Sequence, residues 1–227
     1  ENGLELAQVI EKGLMGACLL DQVLNNYLST QKLDAGSNRD NQTNEVKEDG
    51  KSYTTMEHNW DEAYGYVYGA DGGLFWDKYA ATVGEDEDFK GIEETIATAF
   101  RTGRAALSNA DFDERDNQIK VIRKELSKVC AIRSVHYLQE GKEALVPNAD
   151  AAFHALSEAY GFIYSLRFTH DPESGSPYFS RSEVDAFLSK LMEGTHGFWD
   201  VDHLDKVLDE ISNDIASKFD FTVEQAS

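Results

Sequence analysis

Proline is scarce in this sequence, with only 3 in 227 residues, at 147, 172 and 177. A chain so poor in helix breakers, and without any sustained two-residue alternation of apolar and polar positions, favours helices and argues against strands. Cysteine is scarcer still. Cys18 and Cys130 are too few for a disulfide scaffold and have no metal-ligand spacing. Positive charge is the third shortage: 21 Lys and Arg stand against 42 Asp and Glu, a net charge of −21. That balance excludes a nucleic-acid partner, because neutralising phosphates needs clustered Lys and Arg. It suits a solvated or cation-attracting surface instead. No apolar run approaches the roughly 18 residues that cross a bilayer, so this segment does not insert into a membrane. The chain opens Glu1-Asn2-Gly3 without Met, which reads as a trimmed piece whose targeting signal lies outside it.

What is present is hydrophobic periodicity at helical spacing. The pattern predicts about seven helices, near 4–28, 53–69, 89–107, 112–139, 150–168, 180–192 and 201–219. On the first, Leu6, Ile10, Leu14, Ala17, Leu24 and Leu28 share one side. Segments 31–51 and 70–88, rich in Asn, Asp and Gly, read as long polar connections. Ser180 and Glu183 have the spacing of a capping box at the start of the sixth helix.

The chain also matches itself twice, in the same order. Val9 to Cys18 aligns with Val121 to Cys130, sharing Val, Ile, Lys, Leu and Cys. His58 to Tyr68 aligns with His154 to Tyr164, with 6 identical positions and the shared string His-x-x-x-Glu-Ala-Tyr-Gly. Collinear matches on successive helices point to duplication. The expected fold is an all-α helical bundle of two pseudo-symmetric repeats, 1–110 and 111–220, forming one compact domain with a tail at 221–227.

At about 100° per residue, His58, Glu62, Gly65 and Gly69 fall on one narrow stripe, as do His154, Glu158, Gly161 and Ser165. The rest of both helices is largely apolar. Small residues in a stripe suit close packing better than solvation, so both stripes are read as buried polar seams, with Gly65 and Gly161 admitting a close neighbour. A buried His and Glu must find partners. Two readings stay open: a structural His–Glu hydrogen bond that sets helix register, or a metal site built from His58, Glu62, His154 and Glu158, with Asp61 in the first copy only. Cys18 and Cys130 sit at matched positions inside apolar stretches, either approaching one another or separately buried. No zinc-protease motif, nucleophile elbow or phosphate loop is present, so no catalytic residues are assigned.

The string Met56-Glu57-His58-Asn59-Trp60-Asp61-Glu62-Ala63-Tyr64-Gly65-Tyr66 resembles the hallmark of an uncharacterised bacterial family of imelysin-like envelope proteins, often lipoproteins, known as a domain of unknown function. Ile10 to Met15, Gly103-Arg104-Ala105-Ala106, Arg115-Asp116-x-Gln118-Ile119 and Ser157 to Leu166 extend the resemblance over most of the chain. It implies a duplicated helical bundle, a place in the periplasm or on the cell surface as a lipoprotein, and a link to iron uptake. The cofactor and partners it implies are iron or another divalent metal, or an envelope protein. Imelysin proteins proper carry Gly-x-His-x-x-Glu; this chain has Met56 and Asp61 in the flanking places. The expected function is a non-enzymatic envelope protein that binds a metal or metal-linked ligand for uptake. The alternative is a cell-surface interaction module in which the His/Glu pairs are architectural.

Overall fold

A computed structural model describes residues 2–194 and 196–227. Among them are ten α-helices, eight of them of nine residues or more, and no strand. None is long and apolar enough to cross a membrane. In chain order they are α1 (Leu6–Leu14), α2 (Thr30–Leu33), α3 (Asn38–Thr43), α4 (Thr55–Tyr68), α5 (Phe75–Gly84), α6 (Ile92–Ser108), α7 (Phe112–Ala144), α8 (Ala149–Ser165), α9 (Arg181–Met192) and α10 (Val201–Ala216).

Three expectations change. The segment 70–88 holds a full helix, α5. Its Trp76, Tyr79, Ala80 and Val83 are buried at helical spacing, a signal masked by Gly72-Gly73 and the acidic run after it. The segment 31–51 carries α2 and α3 and is tied to the fold through buried Gln42. The Gln42 amide donates to the Leu107 carbonyl at 2.8 Å and accepts from the Thr54 hydroxyl. The end of the chain is also held: Phe221 and Ala226 are buried.

The first helix departs from expectation in a more consequential way. After α1 the chain continues as two π-helical stretches, Met15–Leu20 and Gln22–Tyr27. Wider turns shift the phase of the side chains, so a single 3.6-residue wheel cannot describe the whole segment. Leu20, Val23, Leu24 and Leu28 are fully buried, whereas Leu6, Ile10 and Leu14 are 66%, 57% and 50% exposed. The side of α1 that is buried carries Lys12 and Gly13 instead.

The chain forms two compact units, each discontinuous in sequence. One comprises Glu1–Ala17, Ser127–Thr169 and Pro177–Ser227; the other comprises Cys18–Leu126 and His170–Ser176.

In the unit that contains α4, a capping box starts that helix: Glu57 N donates to the Thr54 hydroxyl at 3.1 Å and Thr54 N to the Glu57 carboxylate at 2.8 Å. Trp60 of α4 lies fully buried across α6, its indole N–H donating to the Phe100 carbonyl at 3.1 Å. Gly103 makes this crossing feasible, since a Cβ there would fall 2.2 Å from the indole ring. Arg115 is fully buried and bonds Asp34 through two nitrogens, at 2.6 and 3.3 Å, and Asp116 at 2.8 Å. Such a buried cation is tolerable only because its donors are satisfied. In the other unit, α1 lies along α8, and the capping box of Ser180 and Glu183 opens α9. Phe162, Leu156, Leu138 and Leu208 are among the fully buried side chains of that unit.

Candidate functional site

The stripe on α4 opens onto a hollow of about 390 Å³ lined by Leu19, His58, Asp61, Glu62, Gly65, Tyr66, Gly69 and Phe75. It is not the buried seam that the residue pattern predicts. The His58 and Glu62 side chains are 42% and 40% exposed, and a Cβ added at Gly65 would meet no atom within 4 Å. The apolar bulk of α4 is directed elsewhere, through Met56, Trp60, Ala63 and Val67, leaving the stripe as the open side.

Neighbouring side chains hold several of these groups in place. His58 stacks on Tyr53, ring centroids 5.2 Å apart and planes 17° from parallel, and its Nε2 lies 3.7 Å from Glu62 Oε1. Asp61 accepts from Arg104 Nε at 2.9 Å, and the same guanidinium donates to Glu57 at 3.0 Å. Burial alone would raise the Glu57 carboxyl, but the Thr54 N–H, Lys47 and Arg104 outweigh it and hold the group below the usual carboxylate range. Tyr66 packs on Tyr27 at 5.5 Å. The Tyr27 hydroxyl is pushed up by burial, then by the Glu62 charge and Tyr66. Among the described residues no Lys or Arg forms an ion pair with Glu62, and its charge faces this wall with His58 beside it at 3.7 Å.

The far wall is set by a turn. Gly69, Gly72 and Gly73 take φ of +64°, +71° and +70°, and Phe75 follows at +47°. A bulky residue in that left-handed region is strained, and Phe75 is 48% exposed at the edge of the hollow. Neither Arg104 nor Phe75 announced itself as part of a site. Arg104 sits in the Gly103-Arg104 string already noted, but only the fold shows that it reaches α4.

The matched stripe on α8 has a different fate. There α1 covers it. A Cβ at Gly161 would lie 2.6 Å from the Lys12 Cβ and 3.1 Å from both Gly13 N and Val9 O. Lys12 Nζ lies 3.2 Å from Glu158, whose side chain is only 10% exposed. The Ser165 hydroxyl donates to the Lys12 carbonyl at 2.8 Å, and a Cβ at Gly16 would collide with Ser165. His154 remains 49% exposed, with Nδ1 2.9 Å from Glu5 and Nε2 3.7 Å from Glu158.

Within either unit, the singled-out residues supply one His and one Glu. Asp61 is already engaged by Arg104 and Glu158 by Lys12, and no group of three or more His, Cys, Asp or Glu able to hold a metal exists among the described residues. These side chains do not fit a metal held by the protein alone. Cys18 is exposed and Cys130 buried; both are free thiols, and burial pushes Cys130 upward. Trp76 is buried while Trp199 is 58% exposed and meets Phe153 edge-on at 4.6 Å.

Fold and site together define an all-helical protein with one covered and one open His–Glu stripe. The chain belongs to the family described as Domain of unknown function (DUF4856), which matches residues 1–222. No curated protein and no solved structure matches it.

Proposed function

We propose that this protein is a non-enzymatic binding module of the bacterial envelope, and that it takes a protein partner in the hollow on α4. The observation that supports this reading most directly is the open stripe itself: His58, Glu62 and Gly65 sit on a capped helix with aromatic walls, and the space beside Gly65 is open. A concave site with apolar walls and a few fixed polar groups is how proteins hold a ligand. The imelysin-like resemblance of residues 56–66 supports the envelope location. The duplicated strings support an origin by doubling of one helical unit, as does the fact that α4 packs with the next helix, α5, just as α8 packs with α9.

The test is site-directed photo-crosslinking. A photoreactive residue replaces Gly65 in one variant and Val146, 87% exposed and not part of the lining of the hollow, in another. A discrete adduct from position 65 in envelope fractions, absent from position 146, is expected. Equal adducts from both positions, or none from position 65, would defeat the reading. Iron or another divalent metal is the competing outcome: crosslinking from 65 that vanishes with a chelator and returns with Fe(II), Zn(II) or Mn(II) would assign the hollow to a metal-linked ligand.

A further inference from the structure

The second stripe displays what such a stripe accepts. On α8 the occupant is α1, and its fit has a readable pattern. Glu5 meets His154, Lys12 meets Glu158, Gly13 lies on Gly161, and Gly16 lies on Ser165. Both series increase in the same direction, so the seated helix runs parallel to the helix that seats it. Close approach requires small residues on both sides; the lysine is what makes the approach to a buried carboxylate tolerable.

The stripe on α4 presents the same types in the same order: His58, Glu62 and Gly65, followed by Gly69 in the turn that ends the helix, where α8 has Ser165 as its last residue. It lacks the occupant. Gly65 has open space beside it, and among the described residues no Lys pairs with Glu62 as Lys12 pairs with Glu158. The charge on offer is negative, on a chain of net −21, so it complements a cation.

We infer that the hollow on α4 seats a partner helix of the kind α1 is, parallel to α4, with Lys-Gly-x-x-Gly facing the stripe and an acidic residue seven positions before the lysine. The lysine ammonium meets Glu62, the two small residues lie over Gly65 and Gly69, and the acidic residue meets His58. This rests on the binding-module reading above and names the class of its partner. Phe75 and Tyr66 close over the apolar flank of the helix, the mode in which grooves take amphipathic helices.

The probe is a fluorescent, helix-stapled peptide with the sequence of residues 5–17, added to the intact chain and followed by anisotropy. Stapling removes the cost of ordering a helix too short to hold itself in water. Saturable binding is expected, and replacing the peptide's lysine by methionine weakens it about tenfold or more, the loss of one charge-assisted contact. In the chain, Gly65→Leu abolishes binding without lowering Tm, because the added side chain enters open space on a helix. Glu62→Lys abolishes it too, and a peptide carrying Glu in place of the lysine restores it. Binding that survives Gly65→Leu, or no saturable binding at all, would overturn the inference. A position-65 photo-crosslink together with no peptide binding would remove the helix class while leaving the module itself standing.

Discussion

Two helices of this chain carry one signature, and only one of them is covered. On α8 the stripe is filled: Glu158 is 10% exposed and the backbone of α1 lies against Gly161. On α4 the matched carboxylate is 40% exposed, and a Cβ on the matched glycine would reach no atom within 4 Å outside its own helix. The same residue string is thus structural in one place and available in the other. The difference arises from what lies beside the string, and it shows that a motif defines a surface without defining its use.

The contrast is most sharply broken at the glycines. Gly161→Ala places a methyl against backbone atoms that cannot step aside, and should cost about 3 kcal/mol, as overpacking in a dense core does. Gly65→Ala should instead stabilise by about 1 kcal/mol, since it adds helix propensity in open space. Urea denaturation of both variants measures this, and equal effects of the same sign would show that the two stripes are alike.

The carboxylates provide the next test. Lys12→Met leaves Glu158 buried without its cation and should cost about 3 kcal/mol. Adding Glu158→Gln should recover most of that loss. Glu62→Gln, on an exposed pair, should change stability by less than about 0.5 kcal/mol. A large loss from Glu62→Gln would mean that the open stripe is load-carrying after all.

Two histidines outside both stripes make the stability of the chain depend on pH. His136 is lowered to about 4 by burial and then by Arg133, and His170 to about 4 by burial and then by Arg123. Because the folded values lie below the unfolded one near 6.5, the unfolded chain binds more protons between them. Stability therefore falls as pH drops from about 6.5 to about 4, by the order of 2 kcal/mol for each histidine once partial exposure is discounted. Glu183, held at about 2 by Lys218 and by Ser180, adds a further loss below about 4.5. His136→Gln and His170→Gln should flatten the first of these phases.

Much of the architecture was legible in advance. Rare proline and helical periodicity led to an all-α chain, and the Ser180-x-x-Glu183 spacing located the start of α9. The pattern missed α5 because glycines and acidic residues at its ends outweighed Trp76, Tyr79 and Val83. It misjudged Leu6, Ile10 and Leu14 because π-helical turns follow α1 and shift the phase. It identified the stripe residues of α4 and α8, yet not Lys12, Arg104 or Phe75, whose roles depend on segments far away in sequence.

The sequence by itself determined that the chain is helical and that two helices carry His, Glu and Gly on one face, since both follow from local periodicity. Whether each face is covered was decided only by the tertiary structure. A helical wheel specifies the angle of a side chain about its own axis; it contains no term for the neighbour that arrives there. That neighbour is α1 on α8, and on α4 the seat is open.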